Sequence, residues 1–174
     1  PLTELLADLS VHKLDLVLAD SPVPSGHMVR AHTHLLGECP VLWFAAAGLA
    51  SAYRAGFPGS LDGAPVLLPC EGLTLRRSLN PWFERHRIRP HVVAEFSDSA
   101  LLEVFGADGV GVFPAPAAVS DAIEARYEVE RLGPADGVVE RFYAISAERR
   151  LGNPAAVAIS QAAHEVFAGG PSSP

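Results

Sequence analysis

"GADGVGVFPAP", residues 106–116, is the stretch on which the reading of this chain turns. Gly106, Gly109 and Gly111 lead into a short apolar run that ends in Pro114-Ala115-Pro116. The run reads as a strand over 110–114, set between a helix over 97–107 and a helix over 117–127. Glycine on one side and proline on the other fit two situations. One is a catalytic loop; the other is a strand closing at a ligand cleft.

Working outward, strands and helices alternate. "LTELLADLS" places Leu2, Leu5, Leu6 and Leu9 at helical spacing, and "LDLVLAD" (14–20) follows as a strand. "MVRAHTHLL" (28–36) and "CPVLWFA" (39–45) read as two further strands, with a small helix over 48–54. "APVLLP" is a short buried strand after a turn. Residues 73–88 read as a helix that Pro81 should kink or split, because proline lacks an N–H and crowds the preceding turn. A strand over 91–96 comes next, and Ser97 or Asp98 supplies the N-cap of the following helix. Strands over 127–132 and 138–148 flank a turn at "GPADG", and Asn153-Pro154 opens the last helix. This order predicts an α/β fold with largely parallel strands in two sheets.

Composition narrows the function. The chain has 174 residues with 49% hydrophobic content, enough for a sizeable core. A formal net charge of −7 argues against gripping nucleic-acid phosphates directly. Cys39 and Cys70 form no CxxC pair and read as two reduced, buried thiols of a cytoplasmic protein. The longest apolar run, residues 39–50, is too short to span a membrane. The arginines of "RRSLNPWFERHRIR" (Arg76, Arg77, Arg85, Arg87 and Arg89) read as a solvated helix face. His32 and His34 share one strand face without two further metal ligands close by. The G-x-S-x-G, H-E-x-x-H and phosphate-loop patterns are absent, so no cofactor or catalytic set is expected.

In open α/β sheets ligands bind beyond the carboxyl ends of the strands, where helix N-termini present free N–H groups. Three junctions qualify. Thr74 starts a helix; Phe96 ends a strand ahead of Ser97, Asp98 and Ser99; Phe113 and Pro114 close the glycine-rich strand. The plainer role for the hydroxyls and for Asp98 is helix capping. Asp20 with Ser21, at another strand end, and Asp98 are also oxygen donors of the kind a hard cation takes.

The segments "LDLVLADSP" (14–22), "SLDGAPVLLP" (60–69), "LRRSLNPWF" (75–83), "FSDSALLEVFG" (96–106), "GVGVFPAP" (109–116) and "FYAISAERRLGNPAAVAI" (142–159) run in collinear order over nearly the whole chain. Together they resemble the effector-binding domain of LysR-type transcriptional regulators, and "FYAISAERRL" resembles the branch that activates a sodium/proton antiporter gene. The resemblance implies two Rossmann-like lobes of the periplasmic-binding-protein-like type II fold, joined by two crossover strands with an effector between them. Residues 1–40 and 137–168 would form a first lobe truncated at its N-terminus, residues 41–136 the second lobe, and 169–174 a flexible tail. It implies effector contacts at Thr74, at Phe96, Ser97, Asp98 and Ser99, and at Phe113 and Pro114, the positions the strand-end argument reaches by itself. Gly109 and Gly111 would allow close packing, and Pro114 and Pro116 would stop strand pairing.

The implied function is effector sensing in a cytoplasmic homodimer or tetramer that meets DNA only through a helix-turn-helix domain absent from this chain. Sodium or lithium is the signal the branch suggests, with Asp20 and Asp98 as ligands. The rivals are a solute-binding protein of the same fold for a small organic anion, and a small metabolic enzyme. A secretion signal or a helix-turn-helix ahead of Pro1 separates the first rival from a regulator.

Overall fold

The computed structural model describes residues 2–24, 31–148 and 154–168. The expected tail at 169–174, the Asn153 cap and positions 28–30 of an expected strand lie outside the described residues. The chain divides into two compact units, residues 1–38 with 141–174, and residues 39–140. Two long strands carry the chain from one unit to the other and back.

In the first unit, α1 (Leu2–Ser10) turns Leu6 and Leu9 inward, as its leucine spacing dictates. They meet Val17 of β1 (Val17–Ala19) and Ile145 in a small core that Tyr143 and Leu14 cover. β1 pairs antiparallel with the last part of β6 (Val129–Ser146), Val17 opposite Ile145. The last helix, α6 (Pro154–Ala168), has Pro154 at its first position, where a missing N–H costs nothing.

The second unit holds the larger core. β2 (His32–Ala46) enters it, followed by α2 (Ala47–Arg54). β3 (Pro65–Pro69) and β4 (His91–Phe96) pair in parallel, linked by α3 (Thr74–His86). α4 (Ser99–Ala107), β5 (Phe113–Pro116) and α5 (Ser120–Arg126) complete it. Trp43, Trp82 and Phe83 form an aromatic centre, with Trp43 and Trp82 at 5.6 Å and Trp82 edge-on to Phe83 at 5.3 Å. Valine and leucine of β3 pack around them.

Several expectations need correction. The described pairings are not largely parallel: β1 with β6 and β2 with β5 run antiparallel, while β3 with β4 and a bridge from Val66 to Val112 are parallel. The segments over 28–36 and 39–45 are one strand from His32 onward, because Pro40 sits on an exposed position that needs no inward N–H. "GPADG" is no turn but the middle of β6. β6 runs through the segment although Gly137 takes φ +78 there, and Arg85 donates to the Asp136 carbonyl at 2.8 Å. Pro81 does not split α3. It lies on the solvent side, and the buried Leu79, Trp82 and Phe83 hold the helix on both sides of it.

The opening stretch is also corrected. Val112 exchanges hydrogen bonds with Pro65 and Leu67 of β3, and pairing then passes to β2, with Trp43 opposite Pro114 and Val41 opposite Pro116. The prolines therefore do not stop pairing; β5 is an edge strand, which tolerates them. Gly111 packs closely as expected, since a Cβ there would lie 2.9 Å from the Pro65 carbonyl oxygen. Gly109 has room around it, and its need is conformational, at φ +78. The tightest glycine is Gly106 in α4, where a Cβ would meet the Phe113 ring at 2.1 Å.

Gly106→Ala should therefore destabilise the fold by about 1–3 kcal/mol, because the ring it strikes is locked in the core. Gly48, exposed in α2 with nothing within 4 Å of its Cβ position, should behave oppositely. Gly48→Ala is expected to stabilise by about 0.4–1 kcal/mol. The urea midpoints of the two variants check both signs.

Candidate functional site

The carboxyl ends of β3 and β4 lie side by side in the second unit. Pro69 pairs with Phe96, and the Cys70 N–H donates to the Phe96 carbonyl at 2.9 Å. The turn Cys70–Leu73 closes with the Leu73 N–H on the Cys70 carbonyl, and α3 begins at Thr74. β4 passes through Ser97 and Asp98 into α4. Thr74 and the run Phe96–Ser99 thus flank two adjacent strand ends, as the junction argument expected.

The two helix starts differ electrostatically. At α4, one Asp98 oxygen accepts from the Ala100 N–H at 2.8 Å and from the Leu101 N–H at 3.1 Å. Asp98 rather than Ser97 is the cap, and its carboxylate fills the positive end of the helix. At α3 the N-cap is Leu73, which has no oxygen to offer, and no side chain caps the helix. The N–H groups of Thr74, Leu75 and Arg76 precede the first helical hydrogen bond, from Arg77 to Leu73.

Arg76 is the residue that sequence reasoning misplaced. Its side chain is 9% exposed and so does not belong to a solvated face. Nε donates to the Asn80 side chain at 3.0 Å, and Nη1 donates to the Pro69 carbonyl at 3.1 Å and to Glu95 at 2.7 Å. Nη2 meets the Glu71 carboxylate at 2.7 Å. One guanidinium therefore ties the end of β3, the end of β4 and the first turns of α3. The signal was available in its spacing, since Arg76 precedes the buried Leu79 and Phe83 by one and two turns, while Arg77 points outward.

The remaining expected positions are placed as follows. Thr74 and Phe96 are half-buried, and Ser97 and Ser99 are exposed. Phe113 is fully buried; its ring stacks on Phe44 at 5.7 Å, and Phe96 packs against the same cluster. Pro114 is buried beside Trp43 in the sheet register. Asp20 and Ser21 belong to the first unit, where Ser21 donates to Asp20 at 3.3 Å. Among the described residues no group of three or more His, Cys, Asp or Glu has the arrangement of a metal site. His32 is exposed, and His34 lies 3.3 Å from the Ser146 hydroxyl. Because Ser146 gives its proton to the Glu148 carbonyl, it accepts from His34.

Two titrations in the second unit follow local burial. Burial pushes the Glu103 carboxyl of α4 up, opposed by Arg126 and helped by Asp98. Burial likewise raises the Cys39 thiol, against hydrogen bonds from Ala118 and Ala117. Both cysteines are free thiols, but Cys70 is only half-buried, which corrects the expectation of two buried thiols. The cause is its place at a strand end and not inside a strand.

Comparison with known proteins bears on the family and the fold. The family model described as the LysR substrate binding domain matches residues 1–168. The transcriptional activator protein NhaR of Escherichia coli K12 is 32% identical over 151 residues, covering 87% of this chain and 49% of that protein. The NhaR of Shigella flexneri matches equally. The chain thus spans about half the length of the curated relatives it matches. The regulatory domain of Synechocystis CcmR in complex with 2-PG superposes with a TM-score of 0.68 at 16% identity, covering 98% of this chain and 81% of that one. The CrgA regulatory domain of Neisseria meningitidis, a LysR-type regulator, superposes at 0.66 with 18% identity over 92% and 78%. The fold is therefore the periplasmic-binding-protein-like type II fold of LysR regulatory domains.

Asp98→Ala should lower stability by about 1 kcal/mol through loss of the cap, whereas Asp98→Asn, an equally good cap, should leave it nearly unchanged. Thermal unfolding of the two variants makes the comparison. An equal loss in both would show that the charge, and not the cap, is what matters at this helix start. Iodoacetamide labelling followed by mass spectrometry should modify Cys70 well before the buried Cys39.

Proposed function

The chain belongs to the LysR substrate-binding domain family of transcriptional regulators, and on that premise we propose that it senses a small organic anion for a DNA-binding transcriptional activator. The observation that supports the anion is the uncapped start of α3. A 13-residue helix presents free N–H groups there, and the guanidinium of the buried Arg76, paired with Glu71 and Glu95, lies in the same turn. The start of α4 is already occupied by the Asp98 carboxylate, so an anionic group belongs at Thr74. Ser97 and Ser99 then offer hydroxyls and Phe96 an apolar wall, while Phe113 and Pro114 back the site from the core.

The activator role follows the relative NhaR. The rest of the reading is a cytoplasmic homodimer or tetramer that contacts DNA through a helix-turn-helix domain outside this chain. It is a regulator's domain and not an enzyme. No described helix is long and apolar enough to cross a membrane. The effector acts by its difference in affinity for two states of the regulator, and it shifts promoter occupancy by no more than that difference.

A second reading, that sodium or lithium is the signal, rests on the resemblance of "FYAISAERRL" to the antiporter-activator branch. Asp20 in the first unit and Asp98 in the second are each a candidate oxygen ligand. Asp98 already commits one oxygen to two N–H groups, which leaves the other for a cation. A solute-binding role for the same anion is the alternative outside transcription.

A thermal-shift titration separates these readings. Sodium, lithium and potassium chlorides are compared at constant ionic strength, then a panel of small organic acids. A ligand at a hundred times its Kd adds about 2.7 kcal/mol to the native state. The anion reading expects a rise in Tm with an organic acid and the same Tm in all three chlorides. A rise with sodium and lithium over potassium supports the ion reading instead. A normal sodium response of Asp20→Ala and Asp98→Ala regulators in a reporter strain ends that second reading.

A further inference from the structure

We propose that Glu71 is a built-in occupant of Arg76, holding the guanidinium edge that the carboxylate of an anionic effector takes. The proposal rests on the effector-domain reading above and deepens it. Three of the four Arg76 partners (Pro69, Asn80 and Glu95) belong to β3, α3 and β4. The Pro69 contact is to backbone, and the Asn80 and Glu95 side chains extend from a helix and a strand, Glu95 being 39% exposed. The fourth, Glu71, belongs to the turn between β3 and α3, and its side chain is 63% exposed against 9% for Arg76. Glu71 is therefore the more exposed of the two carboxylates and the partner that extends from a turn, so it leaves most readily.

Charge points the same way. One guanidinium faces two carboxylates, a local surplus of one negative charge. Departure of Glu71 leaves Arg76 and Glu95 as a balanced pair, with Nη2 open at the strand ends. An effector carboxylate restores the original contact, so the exchange replaces like with like. Gly72, next in the turn, has φ +88 and nothing within 4 Å of its Cβ position, so the space beside Glu71 is open. Glu71 acts as a tethered competitor, and it raises the effector concentration needed for binding.

The test uses the intact protein and sodium malonate as probe, by isothermal titration at fixed ionic strength. Glu71→Gln keeps the size of the side chain and removes its charge. It should bind malonate about tenfold more tightly, the factor expected if Glu71 holds the edge about nine-tenths of the time. The gain should vanish in Glu71→Gln/Arg76→Gln. Because that double variant also loses internal bonds, a second readout avoids any change at Arg76: its side-chain Nε–H resonance in Glu71→Gln should shift as malonate is added.

Equal affinity of the native and Glu71→Gln proteins, absence of binding in both included, overturns the proposal. So does malonate binding that leaves the Arg76 resonance unmoved. Either result beside an intact effector response in a promoter reporter rejects only the role of Glu71. A native reporter with no effector response rejects the effector-domain reading itself.

Discussion

A single buried guanidinium organises the end of the second unit where ligand chemistry is expected. Parallel strands leave their last carbonyls pointing outward without a partner in the ladder, and a helix that follows must be anchored against them. Arg76 does both, taking the Pro69 carbonyl and the Glu95 carboxylate through Nη1 and the Asn80 amide through Nε. Arginine suits this position better than lysine, because its planar fork reaches three directions at once and keeps its charge when buried. The network has a cost, since a charge taken out of water must be matched by close partners. The density of bonds around Arg76 meets that requirement.

The same strand ends show how one architecture presents two different helix starts. α3 follows leucine and stays uncapped; α4 follows aspartate and is capped by it. One leaves its N–H groups open, the other has them filled by a carboxylate. A ligand lying across both would be oriented by this difference alone, anionic end toward Thr74 and hydroxyl-bearing end toward Ser97 and Ser99. Hydrogen bonds from hydroxyls add direction but little net charge, so in the proposed site the helix starts would set the polarity and the serines would refine it.

Much of the fold was legible because periodicity is local. The leucines of α1, the apolar run of β3 and a cap at Ser97 or Asp98 each declare their element within a few residues. What escaped the sequence depended on distant neighbours. "GPADG" has turn composition, yet the Arg85 guanidinium, 51 residues away, bonds the Asp136 carbonyl and the strand runs through. Pro81 has a breaker's chemistry, but aromatic burial on the opposite face of α3 outweighs one missing hydrogen bond. Arg76 read as a solvated charge because its partners, Glu71 apart, come from another strand or from the helix interior. The candidate site was legible at the level of junctions, through the rule that ligands meet strand ends, but not in its charge distribution.

The glycine-to-proline stretch can now be argued from its neighbours. Val112 turns its N–H toward Pro65 of β3. Alternation along an extended strand then turns the N–H groups of Phe113 and Ala115 to the opposite side, where β2 runs in register with them. Positions 114 and 116 face back again, where no donor is needed, and proline fits both. On the other flank Gly111 passes under the Pro65 carbonyl, and Gly106 lies under the ring of Phe113. The residues before the strand are small because two elements press on them; those after it lack N–H groups because the sheet has an edge there. Neither half of the stretch requires catalysis to explain it.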